Sequence, residues 1–357
     1  MQARPAVPRW SSRPELAARL AASLAAALLT LGCESEGDKA LQTSGSPTES
    51  LLFDPESGVD VGGATWSVKY GFDGLWVAVD PPVDQVVKVD RATGEVAFAV
   101  NNGRGVAIAP ESVWVATGKQ VLKVDPATGK TRSTIAAPTS YVAFGAGSVW
   151  GLSNGSLQRY DPQSAALLAT VPLKGHEGTE VAATSDAVWV TSKKTGSVVH
   201  VDPAPNAVVA TVKTGMGAHG IIADDTGVWV TNYTGNTVSR IDPATDKVTA
   251  TIENVGSGVG IAAGDGAIWV STKSEGVARI DPSTSEVTPL GPASAWPYWS
   301  YGVAYVAGDL WVSSAGESQA LHKVRGVRRV PLLLNWGTPR VSVDSRARVV
   351  RASARCG

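Results

Sequence analysis

From residue 51 onward the chain alternates short apolar runs with clusters of turn-forming residues. The unit is clearest at 217–252, GAHGIIADDTGVWVTNYTGNTVSRIDPATDKVTATI. Two apolar runs flank an Asp-Thr-Gly turn, Thr-Gly-Asn leads into VSRID, and Pro-Ala-Thr-Asp leads into KVTATI. Alternating β-branched residues bounded by Gly, Asn, Asp and Pro predict four short strands joined by tight connections. A four-stranded sheet this small cannot bury both faces alone, so copies must stack on each side.

The copies are visible. The second-strand Trp recurs at 76, 114, 150, 189, 229, 269 and 311, at spacings of 36 to 42 residues. Asp90, Asp125, Asp161, Asp202, Asp242 and Asp281 follow the first six by 11 to 14 positions. Seven four-stranded repeats near 40 residues predict an all-β chain, a seven-bladed β-propeller of four-stranded antiparallel blades over 51–334. The blades are expected near 62–100, 101–136, 137–172, 173–213, 214–252, 253–290 and 291–334. The last is degenerate, with Arg325 where its turn Asp belongs. The segment LLFDPESGVDV at 51–61 resembles half a repeat, so its strand is expected to join the last blade and remove the free edge.

Composition changes the picture at the two ends. Arg4, Arg9, Arg13 and Arg19 precede an apolar run from Leu20 to Leu31, too short for a mature span but suited to a signal peptide, 1–32, of lipoprotein type. The run stops at Gly32-Cys33, which makes Cys33 the expected lipidation site, although Thr30 and Leu31 depart from the usual lipoprotein pattern. Residues 33–50, rich in Ser, Thr, Gly and acids, read as a flexible tether. With Cys33 and Cys356 alone, no disulfide framework is expected. Residues 335–357 form an Arg-rich degenerate or disordered tail. A net charge of -1 gives no argument for a nucleic-acid partner.

The recurring residues are structural. A second-strand Trp in seven blades, followed by Val in six of them, points to packing between sheets, and Asp-Pro marks a turn in which Asp accepts from the following amides. WVTN at 229–232 with the GNTVSRIDPATDKVTATI that follows resembles the YVTN-type β-propeller repeat. The GxxAxxGxxWV cadence is similar to that of the virginiamycin B lyase (streptogramin lyase) propellers, over about 51–324. The resemblance implies the propeller fold. For an enzyme of the lyase kind it also implies histidines at one turn of two consecutive blades, a glutamate in the next hairpin, and magnesium.

Function belongs where the repeats differ. Ten residues before each Trp stand Trp66, Arg104, Ser140, Thr179, His219, Val259 and Tyr301, a set of unlike side chains at equivalent positions. Next come Ser67, Gly105, Tyr141, Glu180, Gly220, Gly260 and Gly302. The expected ligand-binding residues at the channel mouth are Trp66, Arg104, Tyr141, Glu180, His219 and Tyr301, joined by Trp296 and Trp299 from the insertion ASAWPYWSY. His219 and Glu180 are the catalytic candidates, but Val259 stands where a second histidine is needed and Lys273 where the glutamate is. His176, His200 and His322 show no metal-type spacing, and neither metal nor cofactor is expected.

The sequence thus reads as an exported, membrane-anchored binding or scaffold protein of the bacterial envelope, periplasmic or at the cell surface. It would be a monomer that takes a small molecule, peptide or envelope protein at the channel mouth. The alternatives are a lyase of the streptogramin type and a purely structural surface protein.

Overall fold

The structure, a computed structural model, describes residues 58–327 except 82, 274, 275, 291–295, 297, 298, 316–319 and 326, together with the backbone of 340–344 and 349–353. The expected signal peptide, Cys33 and tether lie outside the described residues. No described helix is long and apolar enough to cross a membrane.

Seven antiparallel four-stranded sheets are present. Blades 1 to 6 each take their four strands in chain order, spanning 65–101, 105–135, 142–172, 180–213, 218–252 and 258–289. Blade 7 supplies three strands, Trp299–Val306, Asp309–Ala315 and Ala320–Val324, and its fourth is Val59–Asp60 from the start of the described chain. Val59 pairs with Leu321 and Asp60 with Ala320. The N-terminal segment therefore covers the open edge as the half-repeat predicts. It also explains why blade 7 lacks a turn Asp: its own chain never needs to turn into a fourth strand. Each first strand touches the first strand of the next blade, and that of blade 7 touches that of blade 1, so the ring closes. In the tail, 340–344 and 349–353 pair as a two-stranded antiparallel sheet.

The core consists of seven seams. Trp229 of blade 5 packs against Ile261, Ile268 and Val270 of blade 6, and Trp311 of blade 7 packs against Val68 and Leu75 of blade 1. The other five tryptophans are buried in the same way, each facing the following blade. These indoles are packing groups, unavailable as stacking platforms for a ligand.

Across the sheet from each Trp the third strand carries a basic side chain: Lys88, Lys123, Arg159, His200, Arg240, Arg279 and Lys323. Six of these cations sit 5.2 to 5.9 Å from the centre of their own indole. Four also reach into the next blade. Lys88 donates to the Pro126 carbonyl at 2.8 Å, Lys123 to Pro162 at 3.0 Å, Arg159 to Pro203 at 2.5 Å and Arg240 to Pro282 at 3.2 Å. Asp-Pro therefore does two jobs. The Asp oxygen accepts the turn amides, as Asp125 does from Ala127 at 2.8 Å and Thr128 at 3.0 Å, while the Pro carbonyl receives the neighbour's cation.

Candidate functional site

The first strand of each blade begins, and the second ends, at the same end of the channel. In blades 1, 5, 6 and 7 the pairing slips there by one residue, between Thr65 and Ser67, Ala218 and Ile221, Gly258 and Ile261, and Ser300 and Val303. The slip is a β-bulge, which re-aims one side chain out of the sheet. The residues in the bulges are Trp66, His219 with Gly220, Val259 with Gly260, and Tyr301 with Gly302, so unlike side chains recur where the strand is bent. The glycines are required by close approach: a Cβ on Gly220 would strike the Val259 carbonyl, and one on Gly260 the Tyr301 carbonyl. Tyr141 and Glu180 stand at the same register without that restriction.

Hydroxyls tie this end of the ring. Thr231 accepts from Gly220 N at 2.9 Å and donates to the Val259 carbonyl at 3.4 Å. Ser271 accepts from Gly260 N at 3.0 Å and donates to the Tyr301 carbonyl at 2.8 Å, and Ser313 links Gly302 N at 2.7 Å to Thr65 O at 3.5 Å. Blades 1 to 3 carry Ala78, Ala116 and Leu152 at the equivalent position.

Most of the sequence-predicted residues meet here. Trp66 and Tyr301, from blades 1 and 7, lie with ring centres 5.0 Å apart, and Trp299 is edge-on to Tyr301 at 6.5 Å. Trp66 and Trp299 are 50% and 49% exposed. His219 faces Tyr233 at 6.4 Å. Burial raises the Tyr301 hydroxyl pKa, Lys273 opposes this, and Tyr233 and Asp80 add to it. Tyr301 therefore feels groups from blades 1, 5 and 6, which the end of a shared channel allows. On the other side, burial raises the Tyr141 pKa with help from Glu180. Glu180 is itself raised by burial and opposed by Lys69, three blades away. Solvent reaches Glu180, yet protein surrounds it, as befits a group inside a narrow channel. Arg104 is held by Asp84 through two 3.2 Å contacts.

Trp296 is a correction. It is 7% exposed, packs among Trp269, Val277 and Leu290, and donates its indole N–H to the Leu290 carbonyl at 2.7 Å. Gly276 makes the room, since a Cβ there would collide with the indole. Of the insertion's two described tryptophans, only Trp299 reaches the mouth.

A second ring went unread in the sequence. Four residues after each Trp stand Asp80, Gly118, Asn154, Lys193, Tyr233, Lys273 and Ala315. The same register count that isolates the first ring finds it. Asp80 lies beside the Trp66 indole, which opposes the rise in its pKa caused first by burial. Lys193 Nζ lies 4.9 Å from the Tyr233 ring centre and Lys273 Nζ 4.1 Å from that of Trp299.

No family model and no curated protein matches the sequence. Among solved structures, a streptogramin B lyase superposes with a TM-score of 0.62 at 13% identity, covering 75% of this chain and 96% of that one. The β-propeller domain of Myceliophteria thermophila Cps50 (Swd1) gives 0.62 at 14% identity, covering 73% and 96%. The Neurospora crassa Pan2 WD40 domain gives 0.62 at 10% identity, covering 75% and 90%. What is shared is the propeller. The resemblance to the streptogramin lyase propeller holds at the level of the fold.

The lyase constellation does not fit these residues. Val259 is buried and apolar, and its carbonyl only opposes the lowering of the His219 pKa. The expected glutamate position holds the Lys273 ammonium, which repels a metal ion. His219 has its pKa lowered by burial and then by Lys193. Its Nδ1 is buried without a partner. Among the described residues, no group of three or more His, Cys, Asp or Glu is placed to hold a metal. The remaining histidines are engaged elsewhere: His176 Nδ1 with Thr195 Oγ1 at 3.0 Å, His200 with Asp246 at 2.7 Å, and His322 with Ser314 at 2.9 Å.

Proposed function

We propose that this protein is a ligand-binding β-propeller of the bacterial envelope, exported by residues 1–32 and held to a membrane through a lipid on Cys33. Its ligand sits at the channel mouth over blades 5, 6, 7 and 1. The observation that carries this reading is the cluster Trp66, Tyr301 and Trp299. Two half-exposed indoles flank one tyrosine on bulged or inserted backbone, where every other repeat Trp is buried. Exposed aromatics gathered at a concave opening are what small-molecule sites use, with a few polar groups to orient the ligand.

The test is a thermal-shift screen of the full chain with saccharides, peptides and small aromatic compounds. Each hit is repeated on Trp66→Ala and Tyr301→Ala. A shift lost in both variants, with their own melting temperatures near the parent's, supports the reading. Hits that persist in both move the site elsewhere. Anchoring is tested separately by Cys33→Ala, which should release the protein into the soluble fraction; an unchanged distribution rules lipidation out. A lyase has only His219 in its favour, and general-base chemistry needs the partner that Val259 cannot supply.

A further inference from the structure

The mouth has a charge pattern that narrows the ligand, on the reading that the mouth is the site. Lys193 and Lys273 each rest an ammonium on an aromatic ring, at 4.9 and 4.1 Å from its centre. Neither forms an ion pair among the described residues, in contrast to Arg104 with Asp84. An ammonium over a ring keeps its outward N–H donors free, because the ring takes up only one side of the charge. The nearby acids do not cancel these two cations. Asp84 is occupied by Arg104, Asp80 lies beside the Trp66 indole and is partly buried, and Glu180 faces Lys69 inside the channel.

Stacking and charge are side by side. Tyr301 stands between Trp66 and Trp299, and the Lys273 ammonium lies over Trp299. Trp66 is left as the open face. Lys273 also acts on the hydroxyl of Tyr301, the ring against Trp66, so a ring on Trp66 would share its surroundings with a cation. Asp80, beside Trp66, decides what kind of ring, because a carboxylate offers about four acceptor sites and no donor. A flat aromatic acid would bring only repulsion to Asp80, whereas a sugar brings hydroxyl donors. The Tyr233 and Tyr301 hydroxyls add to the demand for a polyhydroxylated partner.

We propose that the ligand is an acidic saccharide, with a sugar ring stacked on Trp66 and its carboxylates held by Lys273 and Lys193.

The experiment is titration calorimetry on the full chain with trigalacturonate, its methyl ester and benzoate. The ester keeps the rings and removes the charge. The expected result is binding of the triuronate, about tenfold or more weaker binding of the ester, and little binding of the benzoate. Lys273→Gln and Lys193→Gln should each weaken the acid by about three- to tenfold without changing affinity for the ester. Lys247→Gln, on the outermost strand of blade 5, should change neither. Raising the salt should weaken the acid alone.

Equal binding of acid and ester overturns the inference, as does preference for the benzoate or absence of binding by all three. Failure of the mouth reading looks different: the triuronate would bind Trp66→Ala as well as the parent. An ester that binds the parent as tightly as the acid does, but fails to bind Trp66→Ala, keeps the mouth as a site and removes only the claim about charge.

Discussion

His200 lies flat against Trp189, with ring centres 3.9 Å apart and 15° between the planes, and its Nδ1 meets Asp246 of the next blade at 2.7 Å. The other six seams place Lys or Arg over the Trp, and four of those cations run on to a Pro carbonyl of the following blade. The seam between blades 4 and 5 uses a shorter side chain and a carboxylate to make the same crossing. His200→Ala should cost about 1–2 kcal/mol from lost stacking and one lost hydrogen bond, and His200→Arg should recover most of it by reaching Pro243. Urea denaturation of both variants checks this; an arginine no better than alanine would show that the latch does not transfer between blades.

The seam tryptophans are expected to dominate stability. Trp229→Ala removes a fully buried indole from between blades 5 and 6 and should cost about 3–5 kcal/mol. Trp66→Ala, half exposed, should cost far less. Thermal melts of the pair measure the contrast, and equal losses would contradict the division between packing and mouth tryptophans.

Gly260→Ala places a methyl against the Tyr301 carbonyl on the neighbouring inner strand. Because that obstacle is backbone, the strands must separate to relieve it, and a loss of about 1–3 kcal/mol is expected. A melting temperature equal to the parent's would mean that the inner strands yield more than their spacing implies.

Glu180 carries a pH prediction. Burial raises its pKa above the usual carboxylate value, so the folded state holds the proton more tightly than the unfolded chain does. The favourable contribution is present below the unfolded pKa and is lost as pH rises through the folded one. At neutral pH the ionised group therefore opposes folding, and Glu180→Gln should stabilise the protein there and gain nothing in acid. Denaturation midpoints at several pH values decide it; a destabilised Gln variant at pH 7 would mean that Lys69 outweighs burial.

His219 and His322 have the opposite slope. Burial lowers both pKa values from 6.5, so the unfolded chain takes up protons first as the solution is acidified. Their stabilising contribution is complete above about pH 6.5 and is lost as pH falls through the folded values. Replacing His322 by Gln should flatten the decline of stability below pH 6.5. An unchanged slope would place the acid sensitivity elsewhere.

Much of this was legible in the chain because a repeat states its own register. Seven tryptophans gave the blade count, and a ten-residue offset led to Trp66, His219 and Tyr301. The same ruler laid four residues forward would have found Asp80, Lys193 and Tyr233. Trp296 and Trp299 could not be told apart in this way, since they lie in an insertion where the ruler has no marks; the vacancy beside Gly276 buries one of them. The role of the third-strand cations was hidden for a different reason. Their partners are carbonyl oxygens, which every residue possesses, so only folding reveals which one is met.

The hydroxyl links at the mouth run from blade 5 to 6, from 6 to 7 and from 7 to 1, and stop there. Mechanically the wheel is therefore unequal: these three crossings are hydroxyl bridges between inner strands, whereas blades 1 and 2 are tied here by Arg104 to Asp84, and blade 2 is tied to the approach of blade 3 by the Gly118 N–H on the Thr139 carbonyl. The aromatic cluster stands on the hydroxyl-braced sector, whereas Arg104 and Tyr141 belong to the one fastened through an ion pair and loop backbone. A guest spanning the opening would meet two differently fastened jaws.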